Sequence, residues 1–441
     1  MRRVSIQTVL LVGVVSLAVG WSIARQVQDS ISEHEDRERI VFWHFWGGAD
    51  RKIVQEIVRR FNQSQPNYRV EEIAVPGQNL DMKFFMSLQG GDAPDLLNQD
   101  DQVIAQWANA GVLMPIRELC PDETTYRELE EWLYPPAKQI GTYDNELYAI
   151  CNALDIRVLF YRESAIAPFE PPQTIQQLDR IAKRPLATNE TIPYLPDNRR
   201  LWAWGIAFGG DFYDEQSGMV TPDDPKIVEA LEWMTSYSRE LGLEKIRAFR
   251  STNREAGAGS MLRDGRYGLM MDGQWRVAEL DRVVEESEGE FQYGVAPLPY
   301  PPNGRANAGW VNGNFFVVPQ GCQKKRGVWE FIKFWSGFGG HEAEAAMTAS
   351  SGGWIPASSL VTAQPHFQDY LRRHPRFRLF VELAESESQV PTPAIPVQAY
   401  YYERVNQAAD EALTLQKSPR EALREAARDV QSQLDKVRNE R

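Results

Sequence analysis

The chain has little of what metal and redox chemistry require. Cysteine is rare, with only Cys120, Cys151 and Cys322 in 441 residues. An odd number in an exported chain allows one disulfide at most, and both a Cys120–Cys151 bridge and buried unpaired thiols fit. The five histidines, at 34, 44, 341, 366 and 374, have no ligand spacing, so no metal site is expected. No G-x-S-x-G elbow, H-E-x-x-H, phosphate-binding G-x-x-x-x-G-K-[ST] or usable G-x-G-x-x-G is present, and no cofactor is implied. There is no excess of positive charge either. A net charge of −13 repels phosphate backbones and argues against nucleic acid as a partner.

What remains is an ordinary globular composition, 43% hydrophobic and 25% charged, long enough for two α/β lobes. Aromatics exceed what a core requires. Thirteen Trp and sixteen Tyr suit places where one edge is apolar and the other wet. At the N-terminus, Arg2 and Arg3 precede an uncharged run over residues 4–24. That pattern predicts a signal peptide, with a small-x-small site at Ser22-Ile23-Ala24, or an uncleaved anchor just long enough to span a bilayer. Either reading places the body outside the cytoplasm. No Cys follows to carry a lipid, and residues 25–39 read as a polar spacer.

The body opens β-α-β. Residues 40–45 form a strand, Asp50 caps a helix running to Asn62, and residues 68–75 alternate as a second strand. A parallel sheet with a right-handed crossover follows. A short buried strand is expected at 94–97 and another at 312–318. Residues 152–157 lack a turn signal and read as an extended crossing segment. Residues 405–438 are helical, with a break near Pro419. The most informative stretch is 260–280, SMLRDGRYGLMMDGQWRVAEL. It predicts a buried strand at 267–271, a turn at Asp272-Gly273, and a helix opened by Trp275. Ligands of open α/β sheets bind at the carboxyl ends of strands, and a large aromatic there suits a cleft better than a core. The residues alone thus point to a binding protein with aromatic walls.

Several segments in order resemble a known family: IVFWHFWGG followed by IVQEIVRRFNQSQPNYRVE; GGDAPDLLNQDDQVIAQWANAGVLMPI; TYDNELYAICNALDIRVLFYRES; AFGGDFYDEQSG; GRYGLMMDGQW; YGVAPLPYPPNG; and GWVNGNFFVVPQGCQKKRGVWEFIKF. Together they resemble the family 1 extracellular solute-binding proteins, the carbohydrate-binding subunits of bacterial ABC importers typified by maltose-binding protein. The resemblance runs from Ile40 to about Lys436. Cys151 stands where the family usually has Pro, Asn145 where it has Gly, and Arg162 where it has Asn.

The resemblance implies a two-lobed periplasmic-binding-protein fold of type II, each lobe a sheet flanked by helices, with a ligand cleft at the hinge. Lobe one would hold 40–150 and 313–365, and lobe two 155–308 and 370–441. The implied partners are a mono- or oligosaccharide and the permease subunits of an importer. The protein would be a monomer, periplasmic or otherwise extracytoplasmic, with no catalysis of its own.

Sugar rings offer C–H faces to aromatics and hydroxyls to paired polar groups. On that chemistry Trp275 is the leading ligand contact. Trp46 follows the first strand, and Asp101 follows the strand at 94–97, where it either accepts hydroxyls or caps a helix. Asp155 lies on the first crossing segment, with Trp310 and Asn312 at the second. Trp204, Trp354 and Tyr401, the last within Tyr400-Tyr401-Tyr402, complete the set. His44 reads as structural. Two other readings stand beside this one. A cell-surface carbohydrate-active enzyme would draw a carboxylate pair from Asp100, Asp101, Asp155 and Asp272. A ligand sensor would not be coupled to transport.

Overall fold

The computed structural model describes residues 37–184, 191–254 and 256–440. The expected signal peptide or anchor lies outside them, as does most of the spacer. Glu38 and Arg39, assigned above to the spacer, instead begin the first strand. Among the described residues no helix is long and apolar enough to cross a membrane.

The β-α-β opening is present. Strand Glu38–His44 pairs in parallel with Tyr68–Ala74, Ile40 opposite Val70. Its alternation turns Ile40, Phe42 and His44 inward. Helix Gly48–Ser64 covers it through Val54, Ile57, Val58 and Phe61. At the end of that helix, the Asn62 amide takes both backbone groups of Val70, at 2.9 and 2.8 Å, locking helix to strand. The cap is Gly47, not Asp50. Asp50 sits inside the first turn, where a carboxylate still complements the helix dipole.

Two long strands organise the rest. Ala149–Arg162 and Gly309–Val317 run antiparallel, with Asn312 opposite Asp155, and the register shifts between Asn314 and Phe315. At one end they join Leu96–Asp100, Glu38–His44 and Tyr68–Ala74. At the other they join Leu269–Gly273, Tyr293–Ala296 and the short Gln389–Val390. The crossing segments expected from sequence are therefore continuous paired strands. Their close approach requires Gly313, since a Cβ there would lie 2.5 Å from the Ala153 carbonyl.

Two hydrophobic clusters flank this sheet. One centres on Phe42, Phe61, Phe316, Phe331 and Trp335 and continues through Phe160 to Tyr293 and Phe380. The other gathers Trp202, Trp204, Met234 and Tyr237 under the C-terminal helices Gln398–Leu413 and Pro419–Asn439. The break near Pro419 is real. Ser418 caps the last helix by accepting from Glu421 N–H, and proline occupies its first turn, where no N–H is needed. Three strands shift from their expected bounds, to Leu96–Asp100, Leu269–Gly273 and Gly309–Val317. All three cysteines are free, and burial pushes the Cys120 thiol up to about 12.

Candidate binding cleft

The polar residues that fold inward on this sheet meet where the long strands cross. From Ala149–Arg162 come Asn152, Asp155 and Arg157. From Gly309–Val317 come Trp310, Asn312 and Asn314. The end of Leu96–Asp100 adds Asn98 and Asp100, followed directly by Asp101. Beyond Leu269–Gly273 the chain turns and delivers Gln274 and Trp275. Gly273 permits this turn, because any Cβ there would strike the Trp275 ring at 2.2 Å. The turn thus lies two residues later than the sequence suggested, at Gln274-Trp275, while Trp275 keeps its place ahead of helix Arg276–Glu286.

Gln274 is fully buried and ties this turn to the crossing strand. Its amide nitrogen donates to the Leu154 carbonyl at 2.9 Å and to Asp155 Oδ1 at 2.7 Å, and its oxygen accepts from Ile156 N–H at 3.3 Å. The ladder from Leu269–Gly273 ends at Arg157 opposite Gly273, so the side-chain amide continues it along the strand.

Planar groups then stack across the cleft. The Arg157 guanidinium lies 4.6 Å from the Trp275 ring centre and 5.6 Å from that of Trp310. Trp310 stacks on Tyr402 at 5.7 Å, and Tyr402 on Trp202 at 6.2 Å. Around them are buried polar atoms without a hydrogen-bond partner among the described residues: Arg157 Nε and Nη1, Asp101 Oδ2, Asn312 Oδ1, Asn98 Nδ2 and Asn152 Oδ1. Native interiors leave few such groups, and a cluster of them marks a place where something else binds.

The carboxyls share one perturbation. Burial, then the neighbouring charge of Asp100, holds Asp101 well above the usual range, against one bond from Gly313 N–H at 3.4 Å. Burial also raises Asp155, opposed by Arg157 and Gln274. Asp100 accepts from Asn314 at 2.9 Å. Asp100 is exposed at the end of its strand, but lost hydration among the surrounding cleft walls, then the charges of Asp155 and Asp81, push it up to about 7. Burial and the nearby Arg157 charge lower Arg200.

The structure sorts the sequence-predicted residues. Asp101, Asp155, Trp275, Trp310 and Asn312 come together in this cluster, although Trp310 is only 1% exposed and its Nε1 donates to the Thr392 hydroxyl at 3.2 Å. Asp101 opens a short 3-10 turn, and the helix after it has no side-chain cap, so the capping role expected for Asp101 is not seen. Trp46 and Trp354 pack against each other and Trp335, with ring centroids 5.4, 5.6 and 6.0 Å apart, next to Ile355, which pairs with Leu154 on the crossing strand. His44 is buried beside Trp46 and bonded to Glu72 at 2.8 Å.

Trp204 and Tyr401 need correction. Helix Leu201–Ala207 lies inside the second core, where Trp204 bonds Tyr194 and packs edge-on against Trp233. Tyr401 is fully buried, its hydroxyl donating to the Phe212 carbonyl. The cleft-side tyrosine is Tyr402, one step further round its helix.

Sequence reasoning missed Arg157, Arg200, Gln274 and Tyr402. Arg157 did carry a signal: a lone cation in the run ALDIRVLF, two residues from Asp155 and so on the same strand face. A groove of about 740 Å³ between helix Pro135–Gly141, Phe212-Tyr213 and residues 390–394 shares no residue with this cluster.

Two groups of strands joined by the long crossing strands, with aromatics and unsatisfied polar groups at the crossing, define a two-lobed α/β solute-binding protein. A family model for bacterial extracellular solute-binding proteins matches residues 56–373, and the chain belongs to that family. The chain is similar to a maltotriose-binding protein of Pyrococcus abyssi (23% identical over 351 residues, 75% of this chain and 69% of that one). It is also similar to an sn-glycerol-3-phosphate-binding periplasmic protein of Salmonella typhimurium (21% over 361 residues, 76% and 78%). Among solved structures, the sugar-binding protein MalE of Xanthomonas citri superposes with a TM-score of 0.75 at 18% identity, covering 91% of this chain and 98% of that one.

Proposed function

We propose that the protein captures a saccharide in the cleft at the strand crossing and delivers it to an ABC-type importer, without catalysis of its own. The observation that carries this reading is the layered Trp275–Arg157–Trp310 arrangement ringed by unpartnered buried donors and acceptors. Aromatic faces match the C–H faces of a pyranose, and the orphaned groups match its hydroxyls. Trp275, Trp310, Asp101, Asp155 and Asn312 are the proposed contacts.

Capture couples to closure of two lobes, 40–150 with 313–365 and 155–308 with 370–441. They close about the paired strands, and the ligand favours the closed form through contacts made only there. The body acts outside the cytoplasm, with residues 1–24 as its export signal or anchor. A thermal-shift panel of mono- and oligosaccharides tests the reading, since a ligand of the folded state raises the melting temperature by mass action. Small-angle scattering with the best ligand should show a smaller radius of gyration. If no saccharide stabilises the protein, the reading fails.

A further inference from the structure

Arg157 is 7% exposed, and two of its nitrogens have no partner. Among the described residues it makes no ion pair within 4.0 Å, and neither does Arg200 at the end of the turn Asn198–Arg200, a half-buried cation close enough to feel the Arg157 charge. The carboxylates that sense these cations are already engaged. Asp155 is bonded to Gln274, Asp100 to Asn314, and Asp272 to Arg276 at 2.7 Å. Asp101 is buried and held toward its neutral form. Guanidinium does not shed its proton, so both positive charges persist. A buried charge without a counter-ion is costly, and the planar guanidinium fork suits a carboxylate or phosphate.

We propose that Arg157 and Arg200 form an anion-binding subsite within the cleft, and that the captured ligand is a saccharide bearing a carboxylate or phosphate group. This rests on the saccharide-capture reading and narrows its substrate class. The aromatic rings hold the sugar, and the unpartnered Arg157 guanidinium nitrogens hold the charged substituent. The opposing possibility is that the two arginines serve only to balance the aspartates at a distance.

Isothermal titration of the full-length chain separates the two. The probes are a uronate-terminated disaccharide, glucose 1-phosphate, a neutral disaccharide of the same linkage, and inorganic phosphate alone. At least one anionic saccharide should bind ten-fold or more tightly than the neutral one, and its affinity should fall as salt rises. The uronate and phosphate arms identify which anion is read. Inorganic phosphate, lacking a ring, should bind weakly. Arg157→Gln should lose at least ten-fold more affinity for the anionic saccharide than for the neutral one, and Arg157→Lys should recover only part. If Arg157→Gln does not fold, Arg200→Gln and the wild-type salt dependence give the same reading.

A neutral sugar bound as tightly as its acidic counterpart, with no salt dependence, overturns the anion subsite and leaves saccharide capture standing. Tight binding of inorganic phosphate with no gain from a sugar ring overturns the saccharide and leaves an anion site. Absence of binding by every probe overturns both readings.

Discussion

Replacing Gln274 by leucine should destabilise the fold and weaken ligand binding together. Leucine is close in size, so packing changes little and the loss is polar. Three partners go unsatisfied: the Leu154 carbonyl, the Ile156 N–H and the Asp155 carboxylate, bonded now at 2.9, 3.3 and 2.7 Å. A buried backbone group left without a partner costs about 1–3 kcal/mol, and the carboxylate loses a charge-assisted bond worth roughly 1.5–3. The long 3.3 Å contact counts at the low end, so the expected total is about 3.5–7 kcal/mol. That is a large share of the ~5–15 kcal/mol that holds a typical domain. Urea unfolding followed by tryptophan fluorescence reads the stability, and titration with the best ligand reads the affinity. Asp155, freed from its tether, should bind ligand less well even where the variant is folded. A change below about 1 kcal/mol with unaltered affinity would show that the amide does not continue the ladder, and the argument for how this turn is held would fail.

Three further substitutions probe the cleft and its surroundings. Trp275→Ala should cost about 2 kcal/mol or more in ligand affinity, as for a central aromatic anchor, and unchanged affinity in a folded variant would remove Trp275 from the site. Trp46→Ala should instead cost about 3–5 kcal/mol of stability, because its ring is buried against two other tryptophans; lost affinity with intact stability would return it to the ligand surface. Asp100 gives a pH dependence. Its carboxyl is raised from 3.8 to about 7 in the folded state. Between those values the folded protein holds a proton that the unfolded chain has lost, so its contribution to stability falls as pH rises through that window. Asp100→Asn should flatten that part of a stability profile measured by urea unfolding from pH 4 to 8, and a profile unchanged by the substitution would contradict the assignment.

Much of the fold was legible because it follows from periodicity. The inward set Ile40, Phe42 and His44, the helix face Val54–Ile57–Val58–Phe61, and the break at Pro419 are all local patterns with local causes. The strand bounds slipped where polar residues continue a buried strand. Buried Asn98 and Gln99, then exposed Asp100, extend Leu96 and Leu97 toward the crossing, and polarity alone makes them look like loop. The cleft was legible in part. Trp275, Trp310, Asp155 and Asn312 sit next to turns or on crossing segments, so their place could be inferred. Tyr401 and Tyr402 differ by one step on a helix, about 100° of rotation, and only tertiary packing decides which of them reaches Trp310. Trp204 failed for the same reason, since Leu201–Ala207 is buried on every face and periodicity has nothing to report.

The residues that sequence reasoning missed share a property that bears on function. Arg157 and Gln274 are polar groups buried at the crossing, and Arg200 is a half-buried cation close enough to feel the Arg157 charge. A chain selected for stability alone would place alkyl groups at such positions, because buried charge is rarely a net gain. Of the three, Gln274 is fully bonded and holds the turn, whereas Arg157 is left with free donors beside a ring of other unmet polar atoms. The satisfied group explains how the cleft keeps its shape. The unsatisfied ones explain why it should take up a ligand: a partner that supplies the missing acceptors and donors relieves a cost the folded chain already carries, and does so only where its own groups match in position and charge. Selectivity at this crossing therefore follows from what the fold leaves unpaired, with the aromatic rings supplying contact area on either side of it.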